Sequence, residues 1–324
     1  MVEVKTPGPR RLLVTGAGGF VGHALGAALD ARQIDWIAAT RRHDPALAGR
    51  QVVVGDIDAD TAWRDALQGI DCVIHLAART HVLRDDHHDP LAAYRRINRD
   101  GTRRLAEAAA EAGVRRFVFL SSIKVNGEST LNHPYTAADT PAPEDAYGLS
   151  KLEGEQALQS IAAHSRLEPV ILRPPLVYGP GVKGNLLHLL GALDRGLPLP
   201  LASVRNRRSL VYVGNLADAL LACIEMPAAA GETFLVSDGE DLSTPELLSR
   251  LATALGRRAR LWPCPIPLLR AAGRLLGRSH EIARLTGSLQ VDAAHLRHRL
   301  GWRPRYSTNQ GLTETARWYH HGRS

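Results

Sequence analysis

The chain has 324 residues, 44% hydrophobic, 23% charged and 5% aromatic, an ordinary globular composition with length enough for two lobes. Its formal charge of +7 comes almost wholly from arginine and suits anionic small ligands. With no basic run interleaved with aromatics and no apolar run near the roughly 18 residues of a membrane span, neither nucleic acid nor a membrane span is expected.

The predicted elements begin with "RRLLVTG" as a strand and "GHALGAALDARQ" as a helix. "IDWIAAT" and "QVVVGDI" are the second and third strands. "TAWRDALQG" reads as a helix and "DCVIHLAA" as the fourth strand. "LAAYRRINRDGTRRLAEAAAEAG" reads as one long helix and "RRFVFLSS" as the fifth strand. A helix starts near Tyr147, and "EPVILRPP" follows it. Continuous apolar strands alternating with helices predict an α/β fold, a Rossmann-type doubly wound parallel sheet covered on both faces. Ligands of such sheets sit outside the carboxyl ends of the strands.

After "RPPLVYGPG" the pattern loosens. "RSLVYVGNLADALLACIEM" and "ETFLVSDG" could rejoin the sheet. From about residue 240 the chain is helical, basic and punctuated by proline, including "LWPCPIPLL". The expected division is a cofactor-binding domain of 1–180 plus about 208–238. A smaller, mostly helical substrate lobe would comprise 181–207 and 239–324. Cys72, Cys223 and Cys264 form no spaced pair and suit buried free thiols. The opening "MVEVKTPGPRR" lacks the apolar centre of a signal peptide, so a cytoplasmic location is expected.

"VTGAGGFVG" joins the first strand to the first helix. Gly16, Gly19 and Gly22 permit a tight turn and close approach of a pyrophosphate. The amides at the helix start, near Phe20 and Val21, would receive it. At the end of the second strand stand Thr40, Arg41 and Arg42 where an acid would favour NAD. Arginine pairs with a 2′-phosphate, so NADP is expected, with NAD as the alternative. Asp56 and Ile57 are placed to meet the adenine ring.

Tyr147 and Lys151 lie one helical turn apart on one face. A lysine ammonium beside a tyrosine, together with the charge of an oxidised nicotinamide, would lower the phenol's pKa. The tyrosine could then act as acid or base near neutral pH. Ser122, at a strand end, lies 25 residues earlier. No histidine base is identifiable beside it, so it reads as a hydrogen-bonding partner and not a nucleophile.

"TGAGGFVG", "GDI", "HLAA", "INRDGT", "FLSSIKVNGE", "YGLSK" and "RPPLVYGPG" together resemble the extended short-chain dehydrogenase/reductases that act on nucleotide sugars. The resemblance implies that Ser122 orients the substrate, Tyr147 transfers the proton and Lys151 also holds the nicotinamide ribose. It implies cofactor contacts at Leu76, Ala77, Ala78 and Pro174. Asn98 would keep its helix irregular and support a proton relay. Substrate contacts are implied at Thr80, His81, Lys124, Asn185 and Arg208, with Arg278 and Arg284 as candidates for a second diphosphate contact. A homodimer is implied through the helices around Asn98 and Tyr147. The loop "RTHVLRDDHHDP" gathers His81, His87, His88 and Asp85, Asp86, Asp89. It is read as a solvated or substrate-edging loop in preference to a metal site.

Dehydratases of this family carry Asp-Glu where this chain has Ile123 and Lys124, which cannot serve as the extra acid and base. Two reactions remain. One is NADPH-dependent reduction of a UDP-4-keto-6-deoxy-N-acetylhexosamine, as in the O-antigen 4-reductases that the chain resembles. The other is UDP-sugar C4 epimerisation with retained NAD. A cofactor-sensing binding protein on the same fold is a third reading, weakened by the presence of both Tyr147 and Lys151.

Overall fold

The computed structural model describes residues 11–47, 49–80 and 89–322. In chain order they form β1 (Leu12–Thr15), α1 (Phe20–Ala31), β2 (Trp36–Thr40), β3 (Gln51–Val53) and β4 (Cys72–His75). Then come α2 (Pro90–Arg95), a π-helical turn (Arg96–Gly101), α3 (Thr102–Glu111), β5 (Arg116–Leu120), a 3-10 turn (Ile123–Val125) and α4 (Ala146–Ala162). β6 (Glu168–Arg173), β7 (Leu176–Tyr178), α5 (Asn185–Asp194), β8 (Arg208–Tyr212), α6 (Val213–Glu225), β9 (Thr233–Leu235) and β10 (Asp241–Leu242) follow. The chain closes with α7 (Thr244–Ala254), α8 (Ile266–Leu275), α9 (Ser279–Thr286), α10 (Ala294–Leu300) and α11 (Thr308–His321).

A seven-stranded sheet runs β3-β2-β1-β4-β5-β6-β9, parallel at every pairing. Side chains alternate between its two covered faces. Leu12, Val14, Cys72 and Ile74 pack with Leu25 and Leu29 of α1 and Leu216 and Leu220 of α6. Leu13 and Val73 face the opposite way, onto Trp63, Leu105 of α3 and Leu158 of α4. This is why β1 and β4 are buried along their whole length. The strand order reverses between them, which opens a crevice at their carboxyl ends. Cys72, Cys223 and Cys264 are free and buried.

A second sheet, β10-β8-β7, lies apart from the first. Beside it, Leu190 and Leu193 of α5 meet Leu248 and Leu251 of α7 and Leu312 and Ala316 of α11. β9 therefore rejoins the large sheet, while β8 pairs with β7 and β10.

Two helices expected from periodicity are altered. Residues 61–69, expected as a helix, form only turns at 64–69, with Leu67 N–H to Trp63 O at 3.0 Å. Just upstream, Thr61 Oγ1 bonds Asp56 O (3.0 Å) and Asp58 O (3.1 Å) and accepts from Asp58 N–H (2.8 Å). Such local side-chain bonds compete with a helical start. The long helix is split by the π turn, which pushes Asn98 into the interior.

α4 comes very close to both neighbours that shape the site. Asp145 caps it, accepting Gly148 N–H at 2.7 Å. A Cβ on Gly148 would lie 2.6 Å from Lys124 O, and one on Gly154 would run into Asn98 O. Gly154→Ala should therefore lower unfolding stability by about 1–3 kcal/mol despite its better helix propensity. Urea denaturation checks this; an unchanged or raised midpoint would contradict the close contact.

Candidate active site

The glycine loop sits at the carboxyl end of β1. Gly16 has φ +72, and a Cβ there would lie 2.7 Å from Ala77 N. Leu76 and Ala77 thus lie directly against the glycine loop. Gly19 N–H closes the turn on Gly16 O at 3.0 Å, and His23 N–H bonds Gly19 O at 3.0 Å. The amides of Phe20, Val21 and Gly22 precede that bond at the positive end of α1.

Thr40 ends β2, with its hydroxyl 3.3 Å from Gln51 Oε1. Arg41 and Arg42 follow, exposed. Arg41 Nε stands 3.4 Å from Asp56, which Arg96 also approaches at 4.0 Å. Ile57 covers the π turn, where a Cβ on Gly101 would lie 2.7 Å from Ile57 Cγ2.

Beneath the loop runs a buried polar chain. Ala77 N–H donates to Thr15 Oγ1 (3.1 Å), which lies 2.7 Å from His75 Nδ1. His75 Nε2 lies 3.0 Å from Thr102 Oγ1, which donates to Asn98 O (2.8 Å). Thr102 spends its proton on Asn98, so it accepts from His75 Nε2–H. Nδ1 then accepts the Thr15 hydroxyl. Burial, with Lys151 as a second cause, pushes His75 down to about 3 and keeps it neutral, as this pattern requires. Asn98 Oδ1 accepts Arg79 N–H (2.9 Å), and its Nδ2 donates to Arg79 O (3.0 Å) and Ser150 Oγ (2.9 Å). Ser150 donates to Tyr147 O at 2.8 Å. Sequence reasoning found Asn98 but missed Thr15, His75, Thr102 and Ser150. The signal was present: a histidine inside an apolar strand must find buried partners.

The chain's other end meets Ser122, Tyr147 and Lys151. Ser122 accepts Lys124 N–H at 3.2 Å, and its hydroxyl is hydrogen-bonded to the Tyr147 phenol. Ile123 N–H bonds Pro174 O at 2.9 Å, holding this turn on the strand end. Tyr94 meets Tyr147 edge-on at 6.1 Å. Lys151 is buried over the Phe119 ring at 4.0 Å, and its ammonium has no hydrogen-bond partner among the described residues. Nearby Glu155 is engaged by Arg173 at 2.9 and 2.5 Å.

The expected depression of the Tyr147 pKa by Lys151 is not found in the protein alone. Burial pushes Tyr147 up to about 12; the Ser122 hydrogen bond opposes this, while Asp145 and Tyr94 add to it. Burial also brings Lys151 down to about 7. Desolvation is the largest cause of both shifts, at a fully buried Lys151 and a half-buried Tyr147, and neither side chain is a leading cause of the other's shift. A buried, unpartnered ammonium and a glycine cradle that excludes any Cβ fit a nicotinamide dinucleotide. Lys151 is suited to the nicotinamide ribose and the α1 amides to the pyrophosphate.

Lys124 has a different occupation from the expected substrate contact. Its ammonium binds Glu128 (2.5 Å) and the Asp145 carboxylate. It thereby ties the Ser122 turn to the cap of the Tyr147 helix. Arg208 Nη1 donates to Arg284 O (2.9 Å) and Gly287 O (3.1 Å), and Arg284 Nε approaches Glu128 at 3.8 Å. Burial, then the Arg284 charge, lowers the Arg208 pKa, so the two arginines form a cationic cluster beside Glu128. Asn206 fixes that approach, donating to Gly287 O at 2.9 Å. Arg278 flanks the start of α9, exposed, and Asn185 opens α5, also exposed. Thr80 is exposed, with its carbonyl 3.4 Å from the Tyr94 hydroxyl. His81 and the histidine–aspartate stretch through His88 lie outside the described residues. Glu128, Asp145, Tyr94 and Phe119 were not singled out from sequence.

The NAD dependent epimerase/dehydratase family model matches residues 12–237, and the chain belongs to that family. It is an NAD(P)-dependent enzyme of the branch that acts on nucleotide sugars. A UDP-glucose 4-epimerase of Vibrio cholerae is 45% identical over 312 residues, 95% of each chain. An N-acetyl-alpha-D-glucosaminyl-diphospho-ditrans,octacis-undecaprenol 4-epimerase of Escherichia coli O157:H7 is 27% identical over 323 residues, 94% of this chain and 93% of its own. Among solved structures, MoeE5 in complex with UDP-glucose and NAD superposes with a TM-score of 0.78 at 27% identity, covering 97% of this chain and all of its own.

Two predictions rest on this geometry. Lys151 is held below its ordinary pKa, so its buried charge costs stability fully below pH 7 and not at all above about 10.5. Lys151→Met should raise stability on the order of 3–5 kcal/mol at pH 7, with the gain shrinking as pH rises. Thermal melts of the cofactor-free protein across that range check it, and a pH-independent gain would contradict it. Lys124→Met should leave the Asp145 charge uncompensated and raise the Tyr147 pKa further. The acidic limb of the pH–rate profile should then move to higher pH, and Lys124→Arg should restore it.

Proposed function

We propose that the enzyme is a UDP-hexose C4 epimerase, acting on UDP-glucose or UDP-N-acetylglucosamine. The observation that carries this reading is the 45% identity to a UDP-glucose 4-epimerase across 95% of both chains. Ile123 and Lys124 support it by leaving no carboxylate pair for dehydration.

When bound, a nicotinamide dinucleotide would supply reversible hydride exchange at sugar C4 and, in its oxidised form, a positive charge near Tyr147. Tyr147 removes the C4 hydroxyl proton as the phenolate and gives it back as the phenol. Ser122 holds that hydroxyl in line by sharing a hydrogen bond with the phenol. Lys151 holds the nicotinamide ribose, a contact its ammonium lacks among the described residues. Asn98 and Ser150 fix the helix turn that carries Tyr147. Arg208 and Arg284 take the UDP diphosphate, with Asn185 at its edge. Residues 181–207 and 239–324 form the substrate lobe in this reading, and α2, α3 and α4 form the face of a homodimer.

A second reading is NADPH-dependent reduction of a UDP-4-keto-6-deoxy-N-acetylhexosamine. Arg41 and Arg42 favour it, as partners for a 2′-phosphate, although Arg41 already stands beside Asp56. The purified protein should carry NAD, identified by mass after denaturation. It should convert UDP-glucose or UDP-N-acetylglucosamine to the C4 epimer with no lasting change near 340 nm. Stoichiometric NADPH loss with the 4-keto sugar, and no epimer, would replace the first reading by the second. Tyr147→Phe should lower turnover by about 10²–10⁴-fold. Full turnover in that variant would remove Tyr147 from the chemistry.

A further inference from the structure

The described residues contain no helix long and apolar enough to cross a membrane. One helix nevertheless presents an apolar stripe outward. On α8, Leu268, Ala271, Ala272 and Leu275 are all exposed, and their i, i+3, i+4, i+7 spacing places them on one face. Leu268 is 62% exposed, Leu275 88% and the following Leu276 72%, with Trp262 at 48% just upstream. The opposite face is anchored. Leu269 and Gly273 are buried, and a Cβ on Gly273 would lie 2.7 Å from Ile282 Cγ1 of α9. The helix is therefore fixed with its leucines outward.

The charge along this segment is predominantly basic, with Arg257 paired to Asp194 at 3.6 Å and the next acid, Glu281, in the first turn of α9. From Arg257 to His280 the chain has six arginines, at 257, 258, 260, 270, 274 and 278, and no acidic residue. All six are exposed. A second copy of this chain meeting the same face about a two-fold axis would set arginine against arginine. An anionic bilayer surface complements it, with leucines and a tryptophan entering the headgroup boundary and arginines among the phosphates.

We propose that α8, with Trp262 and Leu276, docks the enzyme on an anionic lipid surface as an in-plane amphipathic helix. α9 packs directly beneath it and carries Arg284 toward Arg208 and Glu128. Docking therefore sets the proposed diphosphate site one helix layer from the membrane. The proposal does not depend on which sugar that site takes.

Flotation of the full chain with vesicles tests it. The protein should float with phosphatidylglycerol–phosphatidylethanolamine vesicles, stay behind with phosphatidylcholine alone, and release as salt rises. Leu268→Ser with Leu275→Ser should cut partitioning by about tenfold or more, with thermal melting and turnover of soluble UDP-sugar retained. Arg270→Glu with Arg274→Glu should abolish it. Failure of the wild-type protein to float, or equal flotation of the leucine variant, overturns the proposal. So does a self-association, seen by sedimentation, that the leucine substitutions break.

Discussion

A neutral, fully buried histidine in the middle of a parallel sheet constrains everything around it. His75 has to give one proton and receive one where no water reaches. Leaving either nitrogen unmatched would cost about 1–3 kcal/mol. The fold meets that demand with Thr15 on one side and Thr102 on the other. Thr15 ends the strand that launches the glycine loop, and Thr102 begins the helix after the π turn. One imidazole thus locks the cofactor loop to the bulge that carries Asn98.

From Asn98 the same logic continues into α4. Its side chain satisfies both backbone groups of Arg79 and the Ser150 hydroxyl, and Ser150 bonds the Tyr147 carbonyl. Gly154 lets α4 approach closely enough for these bonds, and Gly148 does the same against the Ser122 turn. Polar satisfaction and close packing therefore fix the height and rotation of the helix that carries Tyr147 and Lys151. The Arg173–Glu155 pair closes the interior side. Breaking such a buried pair typically costs about 3–5 kcal/mol.

The rest of the pocket departs from local balance. Lys151 is buried without a hydrogen-bond partner among the described residues, and burial holds Tyr147 as the phenol. These two unfavourable terms are stabilised by the surrounding network, which leaves an open demand for a ribose hydroxyl and a nearby positive charge. Lys124 handles charge in the opposite way. Paired with two acids, it acts as a strap between the Ser122 turn and the α4 cap.

Local pattern determined much of this protein. The apolar runs of β1, β2, β4, β5 and β6, the glycine spacing at 16, 19 and 22, and the Tyr147–Lys151 register were legible because each depends on neighbours within a few residues. The turns at 64–69 were not, and the irregular helix around Asn98 was legible only through the family resemblance. There, Thr61 and Asn98 trade helical bonds for partners that periodicity does not reveal. Tertiary structure alone decided that β8 leaves the main sheet, that Arg208 and Arg284 share a cluster across 76 residues, and that Lys124 is engaged by Glu128 and Asp145. It also decided the sign of the Tyr147 shift. A sequence shows which charges exist; only the fold fixes how much water each one loses.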